Sequence, residues 1–284
     1  MKQNLRGKMV GSISIVIPSL NQGRFLDETI NSLLIQKGVN LKIALVDGGS
    51  TDQTHEIILL HQNKFNYLRS SPDSGQTAAI NEGLSRLTGT SYVGWLNADD
   101  VLLPDGLRAM AIFLNQHSEY IAVFAKAHVI DAEGKIINEY PTGPFNKRTF
   151  AIHCSICQPA SLIRRSAWDV VGGLDETIQA CLDYDLWWRL AKIGQIGYLE
   201  QFAACTRDHP ESKTRKQRKV VNNEAVSILL RHRGMVPRNW CMANILEGLE
   251  DCPKNTRMSR RSEAIKRYIQ INKWKALLPQ NWFI

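Results

Sequence analysis

Three short apolar runs constrain this chain most: "ISIVIPS" (13–19), "LKIALVD" (41–47) and "SYVGWLN" (91–97). Each is apolar without a polar alternate, as a strand covered on both faces must be. Each also stops at a polar residue. The stretches between them have helical spacing. "GRFLDETINSLLIQ" (23–36) puts Leu26, Ile30, Leu33 and Leu34 on one side, and "HEIILLHQN" (55–63) reads as a second helix. "FNYLRSS" (65–71) is a weaker strand, and "SGQTAAINEGLSRL" (74–87) a helix with Ser74 as its N-cap. Strands alternating with helices predict an α/β fold with an open, mostly parallel sheet flanked by helices on both faces. Ligands of such sheets bind beyond the carboxyl ends of the strands. Pro18-Ser19, Asp47-Gly48 and Asn97 to Asp100 all lie at such ends.

After residue 120 the alternation loosens. "YIAVFAKAHVIDAEGKIINEY" (120–140) reads as a hairpin turning at Ala132-Glu133-Gly134. "QPASLIRRSAWDVVGGLDE" (158–176) offers a strand, a short helix and a stop at Gly172-Gly173. "DYDLWWRLAKIG" (183–194) is helical with Gly194 as C-cap, and from about residue 212 the chain is basic and helix-like. The expected organisation is a tail over 1–11, a catalytic domain over 12–213 in two halves (12–118 and 119–213), and a basic helical region over 214–284.

Of the 284 residues 44% are apolar, ample for a packed core, and no apolar run reaches the roughly 18 residues of a membrane span. "MKQNLRGKMVGS" lacks the apolar centre of a signal peptide, and six cysteines are too sparse for a disulfide framework. A cytoplasmic location is expected. The net charge of +8 concentrates in the last third, in "RDHPESKTRKQRKVV", "LLRHRGMVPR" and "RMSRRSEAIKR". Such a bias suits an anionic partner, whether nucleotide, nucleic acid or lipid surface, or else a solvated helical face.

Several polar residues carry chemistry. Asp47 leads into Gly48-Gly49-Ser50-Thr51-Asp52, where glycines permit close backbone approach and a carboxylate can accept hydrogen bonds from a base or ribose. The same residues also suit an Asx turn or a cap from Ser50 or Asp52. Asp99 and Asp100 suit a hard divalent cation, but neighbours in extended chain point opposite ways, so at most one is a direct ligand unless the chain bends; the competing reading, a helix cap ahead of Pro104, explains Asp100 better than Asp99. Asp183 and Asp185 point to different helix faces, so one can face a cleft as a base while Asp185 pairs with Arg189. His209 is a surface histidine or a metal ligand, with Arg207 and Lys213 beside it able to hold phosphates. Cys154-x-x-Cys157 has no second pair, which argues against zinc.

The chain resembles family 2 glycosyltransferases of the GT-A fold over roughly residues 12–213. The matching segments are "SIVIPSLNQGRFLDETINSLLIQ", "LVDGGSTDQT", "DSGQTAAINEGL", "GWLNADDVLLPDGL", "QPASLIRRSAWDVVGGLDE" and "LDYDLWWRLA", in the family's order. The resemblance implies an inverting enzyme that moves a sugar from a nucleotide diphosphate sugar to an acceptor hydroxyl in surface glycan assembly. It implies that Pro18, Ser19, Asn21 and Asp47 line the base and ribose pocket, and that Asp73 and Gln76 lie near the nucleotide or sugar. Asn97, Ala98 and Asp99 stand at the family's Asp-x-Asp signature. Asp99 would hold Mg2+ or Mn2+, Asp183 would be the base, and His209 would approach the metal or diphosphate from a flexible loop. Two departures stand out: Asn97 replaces the first acid of the signature, leaving a carbonyl oxygen as its donor, and Leu182 replaces a Glu often seen before the base.

Two other readings compete. A nucleotidyltransferase acting on sugar phosphates wants a Gly-rich basic loop after the first strand, and "PSLNQGRF" is thin for that. A nucleic-acid-binding protein explains the basic end but leaves Asp47, Asp99 and Asp183 without a role, so no nucleic acid is expected. The expected acceptor is a glycan or a lipid-linked one. "RSEAIKRYIQINKWKALLPQNWFI" (261–284) has Ile265, Tyr268 and Ile269 on one helical face and cations elsewhere. That pattern fits either peripheral membrane contact or packing on protein.

Overall fold

The computed structural model describes residues 10–250. Contacts divide the chain into two compact units: residues up to Phe145 together with Ser155–His209, and Asn146–Cys154 together with the chain from Pro210 onward. Residues 146–154 thus group with the C-terminal helices, although their position in sequence put them in the acceptor half.

The first unit opens with β1 (Ser12–Ser19), α1 (Gly23–Leu34), β2 (Asn40–Asp47), α2 (Thr54–His61), β3 (Tyr67–Ser70), α3 (Gln76–Arg86) and β4 (Tyr92–Trp95). β5 (Val101–Leu102), α4 (Gly106–Gln116), β6 (Tyr120–Ile130) and β7 (Ile136–Glu139) follow. The second unit contributes α5 (Lys147–Ile152), and the first resumes with β8 (Ser161–Arg164), α6 (Arg165–Val171), α7 (Leu182–Ile193) and β9 (Gln195–Arg207). The strands form one sheet in the order β3-β2-β1-β4-β8-β6-β9-β5, with β7 on β6. β3, β2, β1 and β4 are parallel, and so are β6 and β9. β8 joins the two parts antiparallel to both neighbours, and β5 runs antiparallel to β9.

β1 is buried from Ile13 to Ser19 because both sheet faces are covered. On one face Ile13, Ile15 and Ile17 meet Leu26, Ile30 and Leu33 of α1, in a core that continues to Leu107, Met110 and Leu114 of α4. Val16 points the other way and receives α3, where a Cβ on Gly83 would come within 2.7 Å of its methyls. Gly106 has the same use at the start of α4: a Cβ there would collide with the Ala203 carbonyl oxygen of β9.

The expected hairpin is present, closed by Asp131 N–H to the Lys135 carbonyl (2.9 Å) with Gly134 at φ 83°. α6 stops at Gly172, φ 74°, as its composition indicated. Three details differ from expectation. α3 is preceded by Gly75 at φ 111°, and it is the Asp73 carboxylate, rather than Ser74, that accepts a helix-entry N–H, from Gly75 at 2.8 Å. Gly194 ends α7 in extended conformation, and its need is for space, since a Cβ would lie 2.7 Å from Ile121. β5 and β9 were unforeseen, β9 because its burial follows no period.

In the second unit α8 (Lys213–Lys216) leads into α9 (Arg218–Arg233) and α10 (Arg238–Glu250). α9 buries Ala225, Val226, Ile228 and Leu229, and the Trp240 indole N–H donates to the Ala151 carbonyl (3.0 Å). Among the described residues no helix is long and apolar enough to cross a membrane. The amphipathic segment 261–284 lies outside the described residues.

Candidate active site

The carboxyl ends of β1 and β2 are adjacent in register, Pro18 beside Val46 and Ser19 beside Asp47. Asp47 is buried and organises the loop that follows it. One carboxylate oxygen accepts from the N–H groups of Gly49 (3.2 Å) and Ser50 (3.0 Å) and from the Ser70 hydroxyl (2.7 Å), and the other accepts from the Ser50 hydroxyl. The Asx-turn reading of Asp47 therefore holds. Asn21, in left-handed conformation at φ 53°, completes this corner: its Oδ1 accepts from Thr51 N–H (2.8 Å), and its N–H donates to Ser50 Oγ (2.7 Å). Ser19 Oγ is buried at the end of β1 and has no hydrogen-bond partner among the described residues.

Asp52 links α1 and α2 by accepting from Gly23 N–H (3.0 Å) and Thr54 N–H (3.0 Å). Burial pushes its pKa up, but the hydrogen bonds from Thr54 and Gly23 outweigh that and hold it below 3.8. Asp73 comes to the same corner from the β3–α3 loop. A Cβ on Gly48 would lie 3.3 Å from both of its oxygens, and Arg69, itself anchored on Glu82 (2.7 Å), holds it at 3.3 Å.

The turn after β4 is tightly wired. Gln76 Nε2 donates to Asn97 Oδ1 (2.8 Å), and Asn97 Nδ2 donates to Asp100 Oδ2 (3.1 Å). Asn97 thus links α3 to Asp100 through both ends of its amide. Asp100 is buried and accepts from Arg207 N–H (3.0 Å), so it is no helix cap; Asp105 holds the N-cap position of α4. Burial, and then the neighbouring charge of Asp99, push the Asp100 pKa up to about 7. Ala98 is buried between them.

Asp99 remains 18% exposed, and its Oδ2 lies 3.0 Å from His209 Nε2. His209 is buried just beyond the end of β9, with its ring 4.9 Å from that of Phe25. It stands two residues past the end of β9, at the start of the loop that leads to α8. Arg207, expected to hold phosphates, is instead buried in protein contacts.

α1 supplies a further set of contacts. Thr29 Oγ1 donates to the Asp100 carbonyl (2.8 Å), Ser32 Oγ accepts from Leu102 N–H (3.1 Å), and Gln36 donates to the Leu103 carbonyl (2.9 Å) and accepts from Leu107 N–H (3.3 Å). These satisfy backbone groups of an irregular segment that would otherwise be buried unpaired. The signal was present in sequence as Thr29 and Ser32, polar residues at i and i+3 on the buried face of α1, with Gln36 just past the helix end.

Asp183 is half-buried in the first turn of α7, and Asp185 beneath it pairs with Arg189 at 2.7 Å, as their spacing indicated. α3 ties this helix to the β4 turn, because Thr77, next to Gln76, donates to the Ile178 carbonyl (3.0 Å) ahead of α7. Among the described residues no group of three or more His, Cys, Asp or Glu side chains is set to hold a metal. Asp99 and His209 offer an oxygen and an imidazole nitrogen side by side. That incomplete set fits Mg2+ or Mn2+ whose other ligands are diphosphate oxygens and water.

Known proteins share this layout. The family model described as Glycosyl transferase family 2 matches residues 14–171. The Escherichia coli chondroitin synthase is 27% identical over 212 residues, which span 74% of this chain and 31% of that protein's length. In structure, Staphylococcus aureus TarS 1-349 in complex with UDP-GlcNAc is similar with a TM-score of 0.66 at 15% identity, over 95% of this chain and 82% of that one. The mannosyltransferase PcManGT from Pyrobaculum calidifontis, in complex with GDP-Man and Mn2+, has a TM-score of 0.60 at 13% identity, over 96% and 77%. At such identities the structural likeness is one of fold; the family match covers more than half of the chain. The chain belongs to glycosyl transferase family 2.

Proposed function

We propose that the protein transfers a sugar from a nucleotide diphosphate sugar to an acceptor hydroxyl, with inversion, in the assembly of a polysaccharide or another surface glycan. The observation that carries this reading is the Asp99–His209 pair, 3.0 Å apart, beside a donor corner built by Ser19, Asn21, Asp47 and Asp73. TarS with UDP-GlcNAc, PcManGT with GDP-Man and the chondroitin synthase support the donor class and the glycan product. The nucleotidyltransferase and nucleic-acid readings draw no support from this family.

In this reading residues 12–118 hold the donor and 119–213 the acceptor. Ser19 Oγ and the Asn21–Asp47 corner take the base and ribose, and Asp73 and Gln76 border the nucleotide and sugar. Asp99 and His209 would hold Mg2+ or Mn2+, which when bound would supply Lewis-acid neutralisation of charge on the leaving diphosphate. Asp183 takes the proton of the acceptor hydroxyl as that oxygen bonds to the anomeric carbon from the face opposite the diphosphate, whose bond to the sugar breaks. Asp185 stays with Arg189 and leaves Asp183 alone to face the acceptor.

The test is a panel of UDP, GDP and other nucleotide sugars, with and without Mn2+, read by thermal shift, because only ligands of the folded state raise its melting temperature. NMR of the transferred sugar then reads the anomer. No stabilising donor refutes the function; a retained configuration refutes the single displacement. We place the reaction at the cytoplasmic side, with an acceptor that is a glycan or lipid-linked. Weak membrane contact through residues 256–284 is tested by co-sedimentation with anionic liposomes, comparing the full chain with one ending at Asn255. Each basic residue near such a surface contributes only about 1 kcal/mol, so the contact should vanish at high salt; equal sedimentation of the two chains refutes it.

A further inference from the structure

Arg207 reaches more parts of the candidate site than any other side chain described above. Its Nε donates to the Asp99 carbonyl (2.9 Å), its Nη1 to the carbonyls of Asp131 (3.0 Å) and Ala132 (3.2 Å), and its Nη2 to Glu28 (2.6 Å). Its backbone N–H is the one that Asp100 accepts. The guanidinium lies 4.8 Å over the Phe25 ring, and that same ring meets the imidazole of His209. Asp99, Phe25 and His209 are thus each touched by Arg207 or by its stacking partner. The side chain is 1% exposed, so no phosphate reaches it; its charge is spent inside the protein, against Glu28 and a set of carbonyls.

We propose that Arg207 is the positioning residue of the donor-diphosphate site: it fixes the Asp99 carboxylate and the His209 imidazole at one mutual distance. This rests on the reading of Asp99 and His209 as the cation-holding pair. The physical reason is the planar fork. Five N–H donors in a rigid plane can satisfy three carbonyls and a carboxylate from three separate segments at once. Those segments are the β4 turn, the β6–β7 hairpin and α1, and the arginine comes from β9 itself. A lysine keeps the charge but presents one compact donor group, which cannot span them.

The experiment compares the parent with Arg207→Lys, Phe25→Leu and Lys42→Ala, all confirmed folded by circular dichroism. Lys42→Ala removes a side-chain hydrogen bond to the Thr88 carbonyl (2.9 Å) at the start of β2, the end opposite Asp47, and serves as the control. Two readouts are used. Mn2+ titration followed by EPR, with UDP or GDP present, measures cation binding. The 15N signals of His209 in the metal-free protein, identified by their loss in His209→Ala, report the imidazole hydrogen bond directly.

The expected result for Arg207→Lys is a Mn2+ affinity lowered about tenfold or more, as loss of an outer-shell partner typically gives. Donor KM should rise to match, and the His209 signals should shift. Phe25→Leu should also shift them, while Lys42→Ala leaves both readouts at parent values. A merely destabilising change lowers Vmax through the folded fraction and leaves KM and the His209 signals alone; that outcome overturns the proposal. If Arg207→Lys does not fold, Phe25→Leu decides, and unchanged His209 signals in it overturn the proposal as well. A parent that binds no Mn2+ with either nucleotide refutes the metal-site reading instead, and the metal-free spectra still judge Arg207.

Discussion

Asp183 and Asp185, two residues apart on α7, should fail in opposite ways when neutralised. Asp185 is 1% exposed, and its partner Arg189 is 21% exposed. Arg189 also donates to the carbonyls of Val171 (2.8 Å) and Gly173 (2.6 Å), so the pair clamps the glycine turn that ends α6. In Asp185→Ala a mostly buried guanidinium loses its counter-charge. Breaking such a pair costs about 3–5 kcal/mol, and the lower figure applies because a fifth of Arg189 reaches water and two carbonyls remain. In Asp185→Asn an oxygen is kept for the Nε–H and only the charge assistance goes, about 1–1.5 kcal/mol. At roughly 2–4 °C per kcal/mol, the melting temperature should fall by about 2–6 °C for Asn and about 6–12 °C for Ala. Asp183→Asn should still fold and bind donor yet lose turnover by ~10² or more, as removal of a general base does. Differential scanning calorimetry and a donor-consumption assay on the same preparations measure both. The reasoning is refuted if Asp185→Asn melts like the parent, or if it abolishes turnover in folded protein while Asp183→Asn remains active.

Asp99→Ala should abolish Mn2+-dependent donor binding, while Asn97→Ala, which breaks only the Gln76 and Asp100 links, should weaken it; equal binding by both in calorimetric titration would make Asp99 structural. Gly106→Ala should lower stability by about 1–3 kcal/mol, because the new methyl meets a backbone carbonyl of β9 that cannot move aside. Gly89→Ala, in open space at φ 71°, should cost only the left-handed strain of about 1–2 kcal/mol, with no packing change visible in near-UV circular dichroism. Equal near-UV spectra for all three proteins would remove the packing explanation for Gly106.

The parallel half of the sheet was legible because strands buried on both faces write themselves as unbroken apolar runs, as β1 and β2 do. β9 was not, since along its length it passes from core to surface and back, and it has no period to detect. β5, two residues long, is defined only by its pairing with Val101 and Leu102 against Cys205 and Ala204. In the site, the pairing of Asp185 with Arg189 four positions on followed from helical spacing, whereas the approach of His209 to Asp99, 110 residues apart, was implied only by the family resemblance. The links made by Asn97 could not be foreseen, because its carbonyl oxygen is claimed by a glutamine 21 residues away. Arg207 was misjudged for a similar reason. Most of its partners are main-chain carbonyls, which every residue has and no sequence pattern marks.

The strand order has a consequence for how the molecule comes into being. Among the described residues β9 is the last strand to leave the ribosome, yet it sits between β6 and β5. It brings a contact spanning 179 residues, Arg207 to Glu28, and one spanning 110, His209 to Asp99. Contacts closing loops of that size form late, after local hairpins and helices. A nascent chain that has emerged only through α7 holds Asp183 and Asp99 but neither His209 nor the strand that carries it. On the roles proposed above for Asp99 and His209, enzymatic competence arrives with the closing of the sheet, and nucleotide affinity during synthesis or refolding should report complete topology.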